Sequence, residues 1–401
     1  MKKSKLLLAL IFALLFVLIS VPSFAQPVLK LGSFNPRTGP GASWGLNTDR
    51  FVDLCVEQWN KKGGVTVQGQ KYKIEMIHED DKYRGEEAVK AVNKLIFTDK
   101  VKFIVGPLGS SSVLAVQPIT EANKVIILCG SYGPIELLKG KNYTFRTVGV
   151  PTHSSPAFFK FLAQRYPELK TSVHLSPKDA SGWGAAQGDN DSCDAVGIKV
   201  LASEFFEIGT QDFTSVLTRI IPLKPDFISL NGSAGGYCAL IIKQARELGF
   251  KGRFIHAGIF VYDEVGPIAG WENIEGLLTS STSAEGPLCP QGIKDVYALW
   301  MEKYKSNVGF SMAFLYNHAN ILLWGIEKAN SLDSDKVKQG IENLGEFNVI
   351  QGKAHWGGKE VYGTNHQIFH PHMISEVKDR KLVTVGMEMP WEVPPPQKKW
   401  W

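Results

Sequence analysis

Short apolar runs of β type alternate with longer stretches of helical period from Val28 onward, and this alternation limits the possible folds more than any other feature. Strands separated by helices pair in parallel, because a parallel neighbour needs a crossover of a dozen residues or more. The first set predicts strands over Val28–Phe34, Tyr72–Ile77, Lys102–Val105, Val125–Leu128 and Tyr143–Val148. Between them fall a helix carrying Phe51, Leu54, Cys55 and Trp59 and stopped by Gly63-Gly64, a helix over Glu86–Phe97, and a helix capped by Ser110-Ser111-Ser112.

The alternation then restarts. Helices are expected over Pro156–Tyr166, Gly184–Val196, Phe213–Ile221 and Tyr237–Leu248, with strands over Ser172–Leu175, Lys199–Phe206, Asp226–Leu230 and Arg253–His256. Two successive sets imply two sheets and hence two lobes, and 401 residues exceed what one hydrophobic core usually holds. After Gly276–Ser281 come helices over Gly292–Tyr304, Ser311–Asn330 and Ser334–Asn343 with no strands between, so they must cover a sheet formed earlier. Gly352–Trp356, Gln367–Val377 and Lys381–Met387 read as extended or hairpin structure, and Pro394-Pro395-Pro396 to Trp401 as an irregular tail.

Ahead of the alternation, Lys2, Lys3 and Lys5 precede an apolar run from Leu6 to Val21 and the small-x-small signature Ser23-Phe24-Ala25. Residues 1–25 are therefore expected to be a signal peptide cut after Ala25, which puts the mature chain in a bacterial periplasm or outside the cell. Gln26 and Pro27 follow the cut, so there is no cysteine for a lipid anchor. The richest later window, Phe314–Trp324, is interrupted by Asn317, His318 and Asn320, so the mature chain is expected to be soluble. Formal charge is +5, and three of the basic residues lie in the leader. A surface so nearly balanced gives no reason to expect nucleic acid or acidic lipid as partner.

Five cysteines, Cys55, Cys129, Cys193, Cys238 and Cys289, form no CxxC pair, so no metal site is expected. At least one is unpaired; Cys55 and Cys238 sit on apolar helix faces as small hydrophobes, and a disulfide among the five stays open. The chain has no GxSxG elbow, GxxxxGK[ST] loop or HExxH helix, and Gly39–Gly45 does not form GxGxxG, so neither an enzyme nor a cofactor is expected. His366, His370 and His372 cluster in the late hairpin, where the alternation of His370 and His372 reads as one exposed strand face rather than a metal site.

Ligands of open parallel sheets bind beyond the carboxyl ends of strands, where helix N-termini present unpaired N–H groups. The strand ending at Val105 leads to Ser110-Ser111-Ser112, and the strand ending at Leu128 leads to Cys129-Gly130-Ser131-Tyr132-Gly133, followed by Pro134 at a first helical position. Together they offer hydroxyls and backbone donors to one carboxylate, although a serine run also serves simply as a cap.

Particular strings then carry a resemblance. Arg37-Thr38-Gly39-Pro40 with Trp44-Gly45, Asn60-Lys61-Lys62-Gly63-Gly64-Val65, Glu79-Asp80-Asp81, Gly106-Pro107-Leu108-Gly109-Ser110-Ser111-Ser112, Lys243-Gln244-Ala245-Arg246-Glu247-Leu248-Gly249 and Glu275-Gly276-Leu277-Leu278 occur in order over nearly the whole mature chain. In these the chain resembles the leucine/isoleucine/valine-binding protein family of transporter-associated periplasmic receptors. The resemblance implies an α/β fold of two Rossmann-like lobes with parallel-rich sheets, joined by three hinge crossings, that close on a small molecule and deliver it to the permease subunits of an ABC transporter as a monomer. It sets the crossings near Gly149–Thr152, Ser280–Ser283 and Ile350–Ala354. Lobe 1 would then comprise residues 26–149 plus 283–350, lobe 2 residues 150–282 plus 351–390, and the tail residues 391–401.

By the same resemblance Ser110, Ser131 and Gly133, with their neighbours Ser111 and Tyr132, hold a ligand carboxylate, and Trp44 and Trp183 cover the ligand from opposite lobes. Amino-acid-binding members place a carboxylate after the strand that here reads Arg253–His256, to pair with the ligand's ammonium. This chain has Ala257-Gly258-Ile259-Phe260 there. A buried ammonium without a counter-charge is costly, so an α-amino acid is disfavoured unless Asp263, Glu264 or Asp179 substitutes. Gly258, Phe260, Tyr262 and Tyr237 suggest an apolar or aromatic wall, while Arg37, Lys82 and Arg84 near the cleft mouth either grip an acid or are solvated charges. The expected ligand is a carboxylic acid with an apolar or aromatic body; a branched-chain amino acid or amide is the alternative. A sensory protein presenting ligand to a separate receptor is also allowed, although the chain ends at Trp401 with neither a span nor a signalling domain.

Overall fold

A computed structural model describes residues 26–39, 41–138 and 140–400, so the expected signal peptide lies outside the described residues. The chain forms two sheets. The first half runs β1 (Val28–Asn35), α1 (Ala42–Lys61), β2 (Val65–Val67), β3 (Gln70–Asp80), α2 (Gly85–Asn93), β4 (Phe103–Leu108), α3 (Ser110–Ala122), β5 (Ile126–Gly130) and β6 (Thr144–Arg146). The second set follows as α4 (Pro151–Arg165), β7 (Thr171–Pro177), α5 (Ala180–Ala195), β8 (Lys199–Phe206), α6 (Thr214–Ile220), β9 (Phe227–Ser229), α7 (Gly235–Glu247), β10 (Arg253–His256), α8 (Tyr262–Ala269), α9 (Trp271–Ile274) and β11 (Leu278–Thr279). Helices α10 (Gln291–Tyr304), α11 (Tyr316–Ala329) and α12 (Ser334–Glu342) come next, and then β12 (Phe347–Val349), β13 (Gly352–Gly357), α13 (Lys359–Tyr362), β14 (Gln367–Phe369), β15 (His372–Lys378) and β16 (Lys381–Glu388).

Strand order in the first sheet is β12-β13-β14-β6-β5-β4-β1-β3-β2, and in the second β16-β15-β11-β10-β9-β7-β8. The central pairs are parallel in both, β1 with β3 and β4 and β7 with β8 and β9. Hairpins close the edges: β2 pairs antiparallel with β3, β13 with β12 and β14, and β15 with β11 and β16. This is the expected two-lobed α/β architecture. The helices after β11 cover the first sheet, as their lack of intervening strands requires; Phe51 of α1 stacks on Trp300 of α10 with centroids 4.2 Å apart, both rings fully buried. Rings of that size bring ~150–250 Å² each out of water, which fixes the added helices to the sheet.

One boundary moves. Residues 351–390 were assigned to the second lobe, but β13 and β14 pair into the first sheet and only β15 and β16 join the second. The third passage is thus at His370-Pro371, not at Ile350–Ala354. Proline cannot donate to a strand ladder, so the extended segment Gln367–Val377 is broken at Pro371 and its halves serve different sheets. The histidines there are not an exposed face either: His366 is 3% and His370 4% exposed.

The tail is not loose. Trp391 N donates to the His153 carbonyl at 2.8 Å, His355 of β13 meets Glu392 at 2.9 Å, and Asp191 of α5 accepts from Lys398 N at 3.0 Å and Trp400 Nε1 at 2.8 Å. All five cysteines are free and buried.

Candidate ligand-binding cleft

The lobes meet where β4 and β5 of the first sheet and β9 and β10 of the second end, the positions at which open parallel sheets gather ligand-binding loops. Ser110 opens α3 immediately after β4 and is fully buried. Its hydroxyl oxygen accepts from Tyr132 N at 3.0 Å and Gly133 N at 2.8 Å, both from the loop after β5. Ser181, in the first turn of α5, closes the set from the other lobe: its hydroxyl accepts from Ser110 N at 3.1 Å and donates to Ser110 Oγ at 3.1 Å. Three backbone donors from two loops of one lobe therefore converge on a pair of hydroxyl oxygens.

Beneath this floor lies a buried ion pair. Glu136 and Arg146 are both fully buried and 3.3 Å apart. The Ser131 hydroxyl donates to Glu136, so its one proton is turned away from the cleft. Burial raises the Glu136 carboxyl pKa, against the opposing pull of Arg146.

A chamber opens above the floor, lined by Trp44, Ser131, Tyr132, Ser181, His256 and Ile259 among others. Trp44 is 8% exposed and packs edge-on to Tyr83 at 6.0 Å; its indole N–H is buried and has no hydrogen-bond partner among the described residues. A second chamber lies on the hinge side. Tyr132 and Ile259 line both. Gly258 permits this contact: a Cβ there would lie 2.4 Å from the Tyr132 hydroxyl and 2.6 Å from Asn231 Oδ1.

The remaining sequence candidates stand elsewhere. Ser111 lines neither chamber, and its backbone lies against Gly85. Trp183 is 45% exposed and lines neither chamber; it sits two residues past Ser181, on the other side of α5. Tyr237 packs in the second lobe's core against Phe206 and Phe213, its hydroxyl accepting from Gly209 N at 2.7 Å. Phe260 is 1% exposed, beside His256 and held by Ser281. Arg37 pairs with Asp49 at 3.2 Å and Lys82 with Glu87 at 3.5 Å, both away from the chambers.

The three acids considered as replacement counter-charges turn out to join the lobes. Asp179 accepts from the Tyr83 hydroxyl at 3.1 Å, Glu264 from Asn47 Nδ2 at 3.0 Å, and Asp263 from Gly309 N at 2.8 Å. Each bond runs from the second lobe to the first, and none of the three acids lines either chamber. Burial raises all three pKa values, that of Asp263 to about 7.

Residues 28–381 match the family model described as periplasmic binding protein. The chain belongs to this family, whose fold is that of a binding protein rather than a catalyst. The leucine-, isoleucine-, valine-, threonine- and alanine-binding protein of Pseudomonas aeruginosa is 29% identical over 324 residues, 80% of this chain and 83% of that protein. A leucine-binding protein of Thermotoga maritima superposes with a TM-score of 0.76 at 24% identity, covering 90% of this chain and 99% of that one. An ABC transporter solute-binding protein of Rhodopseudomonas palustris BisB5, solved with 3,4-dihydroxybenzoic acid, gives a TM-score of 0.76 at 21% identity, covering 92% and 99%. The cleft between the lobes is thus the place for a small-molecule ligand in a periplasmic binding protein.

Sequence reasoning missed Ser181, His256, Ile259 and the hinge-side chamber. Ser181 carried a signal, since it follows Asp179, a helix N-cap that accepts from Gly182 N at 2.7 Å.

Proposed function

We propose that this chain is the periplasmic ligand-capturing component of an ABC importer, and that its ligand is a carboxylic acid with an apolar or aromatic body. One observation carries the reading. The N–H of Ser110, at the start of a 13-residue helix, donates to an oxygen supplied by the opposite lobe, so the floor selects an acceptor oxygen on the cleft axis. A carboxylate oxygen suits that position, because helix N-termini favour anions. Ser110 and Gly133 line neither chamber and their N–H groups now donate to Ser181 Oγ and Ser110 Oγ, so a ligand carboxylate takes these donors by displacing the hydroxyls; Ser131 lines the chamber but its proton is committed to Glu136, and the Trp44 N–H is a further donor to the ligand.

On the second-lobe side Ala257, Gly258 and Ile259 line the chambers without a charge, and the neighbouring acids are engaged with the first lobe. An ammonium would find no free counter-charge, which favours a deaminated acid. The Pseudomonas relative favours the second reading, a branched-chain amino acid.

Ligand contacts both lobes only when they close, and that difference in binding shifts the population toward the closed form presented to the permease. A thermal-shift panel of aromatic acids, short keto acids, branched-chain amino acids and amides tests the reading. Ligand at ~100 times its dissociation constant adds ~2.7 kcal/mol. Stabilisation by acids and not by amino acids supports it; stabilisation by leucine, isoleucine or valine transfers the assignment to the second reading.

A further inference from the structure

The hinge-side chamber is built from all three passages between the lobes: Gly149 on the first, Ser280 and Thr282 on the second, His370 and His372 on the third. No Asp, Glu, Lys or Arg lines it. Its polar lining includes two imidazoles, stacked with centroids 4.9 Å apart, whose Nε2 atoms are buried and have no hydrogen-bond partner among the described residues.

The chemistry of His370 is fixed by its other nitrogen. Nδ1 lies 3.0 Å from the Pro371 carbonyl, which only accepts, so Nδ1 carries the proton and Nε2 presents a bare lone pair. His370 is 4% exposed, and burial first of all lowers its pKa to about 4, so the ring is neutral and acts as an acceptor. His372 is admitted by the absence of a side chain opposite: a Cβ on Gly149 would lie 1.7 Å from its Cε1. A buried acceptor without a donor is costly to keep, and such costs are retained where a ligand relieves them.

We propose that this chamber is a second compartment of the ligand site, one that takes an uncharged hydrogen-bond-donating end of the ligand, a hydroxyl, against Nε2 of His370. The proposal rests on the carboxylate reading above, which places the acid end at Ser110. The Tyr132 ring and Ile259, shared by both chambers, lie between the two ends, so the ligand's apolar body passes Tyr132. A site that hydrogen-bonds a substrate hydroxyl rejects the analogue lacking it, because the site's own polar group is then left unpaired.

Calorimetric titration of the protein with benzoate, 3-hydroxybenzoate and 4-hydroxybenzoate tests this. At least one hydroxylated acid is expected to bind about tenfold more tightly than benzoate, as one relieved hydrogen bond predicts. In His370→Leu that advantage disappears. Should the variant not fold, the 15N resonance of His370 Nε2 in the wild type is expected to move on adding the hydroxylated acid and not on adding benzoate. Equal binding of all three acids, an advantage that survives His370→Leu, or an unmoved resonance overturns the compartment while leaving the carboxylate reading in place. No binding of any of the three overturns both.

Discussion

The Tyr83 hydroxyl donates across the cleft to Asp179 at 3.1 Å, joining the loop after β3 to the N-cap of α5. The same Asp179 caps α5 through Gly182 N, so one carboxylate both starts the helix bearing Ser181 and holds that helix to the opposite lobe. Tyr83→Phe removes the link and keeps the ring against Trp44. Losing one such bond is worth about 1 kcal/mol, so the apparent dissociation constant is expected to rise about fivefold with little change in melting temperature. Titration and solution scattering check this; an unchanged affinity would show that the bond does not bias closure.

Gly258→Ala tests closure by steric means. The added methyl meets the Tyr132 hydroxyl of the first lobe at 2.4 Å and, within its own lobe, Asn231 Oδ1 at 2.6 Å, so the closed arrangement must shift and the second lobe must also yield at Asn231, which a melting curve of the variant reads separately. Ligand affinity is expected to fall about a hundredfold or more, with the variant's scattering profile staying open at saturating ligand. Ligand-induced compaction equal to that of the wild type would show that the contact is dispensable.

Asp263 should give the molecule a pH dependence of unusual sign. Burial raises its pKa to about 7, with Glu264 adding to the rise and the Gly309 N–H opposing it. The folded carboxyl holds its proton more tightly than the unfolded one, at about 3.9, so its contribution is fully present below pH ~4 and is lost as pH rises through about 7. In Asp263→Asn, which keeps an acceptor for Gly309, stability relative to wild type is expected to improve between pH 4 and 8, by on the order of 2 kcal/mol. Parallel melting curves across that range would count against this.

The Glu136–Arg146 pair makes a separate demand. Both side chains are fully buried, and Arg146 also donates to the Gly133 carbonyl in the ligand floor. Arg146→Leu strands the carboxylate and is expected to destabilise the fold by about 3–5 kcal/mol, since breaking a buried pair from one side leaves an uncompensated charge. Denaturant unfolding measures it. In Glu136→Gln/Arg146→Leu most of the loss is expected to return, and a double variant as unstable as the single one would place the role of Arg146 in its contact with Gly133.

Element order was legible because periodicity reports which face of a segment is apolar, and βα alternation then dictates the layers. Sheet membership was not: Gln367–Val377 reads as one extended segment, and only the missing N–H of Pro371 marks where the chain changes lobe. In the candidate site, the meeting of Ser110 with Tyr132 and Gly133 was legible from strand ends followed by helix starts. Trp183 was not, because direction on α5 depends on the turn. At about 100° per residue, Ser181 facing the cleft places Trp183 roughly on the opposite side. Tyr237 is an aromatic at helical spacing whose partners, Phe206 and Phe213, come from a strand and a helix start more than twenty residues earlier. The commitment of Ser131 depends on Glu136, whose inward direction follows from Arg146 on the neighbouring strand.

Residues 391–400 tie together parts of the molecule that belong to different lobes. Glu392 engages His355 on the first sheet, and a few residues later Lys398 and Trp400 fasten to Asp191 on the second lobe. This segment bridges the two lobes outside the three covalent passages, its first-sheet end held by an exposed pair. A chain cut after Met389, or one with a bulky fusion at that end, is therefore expected to lose a link between the two lobes rather than a terminus alone.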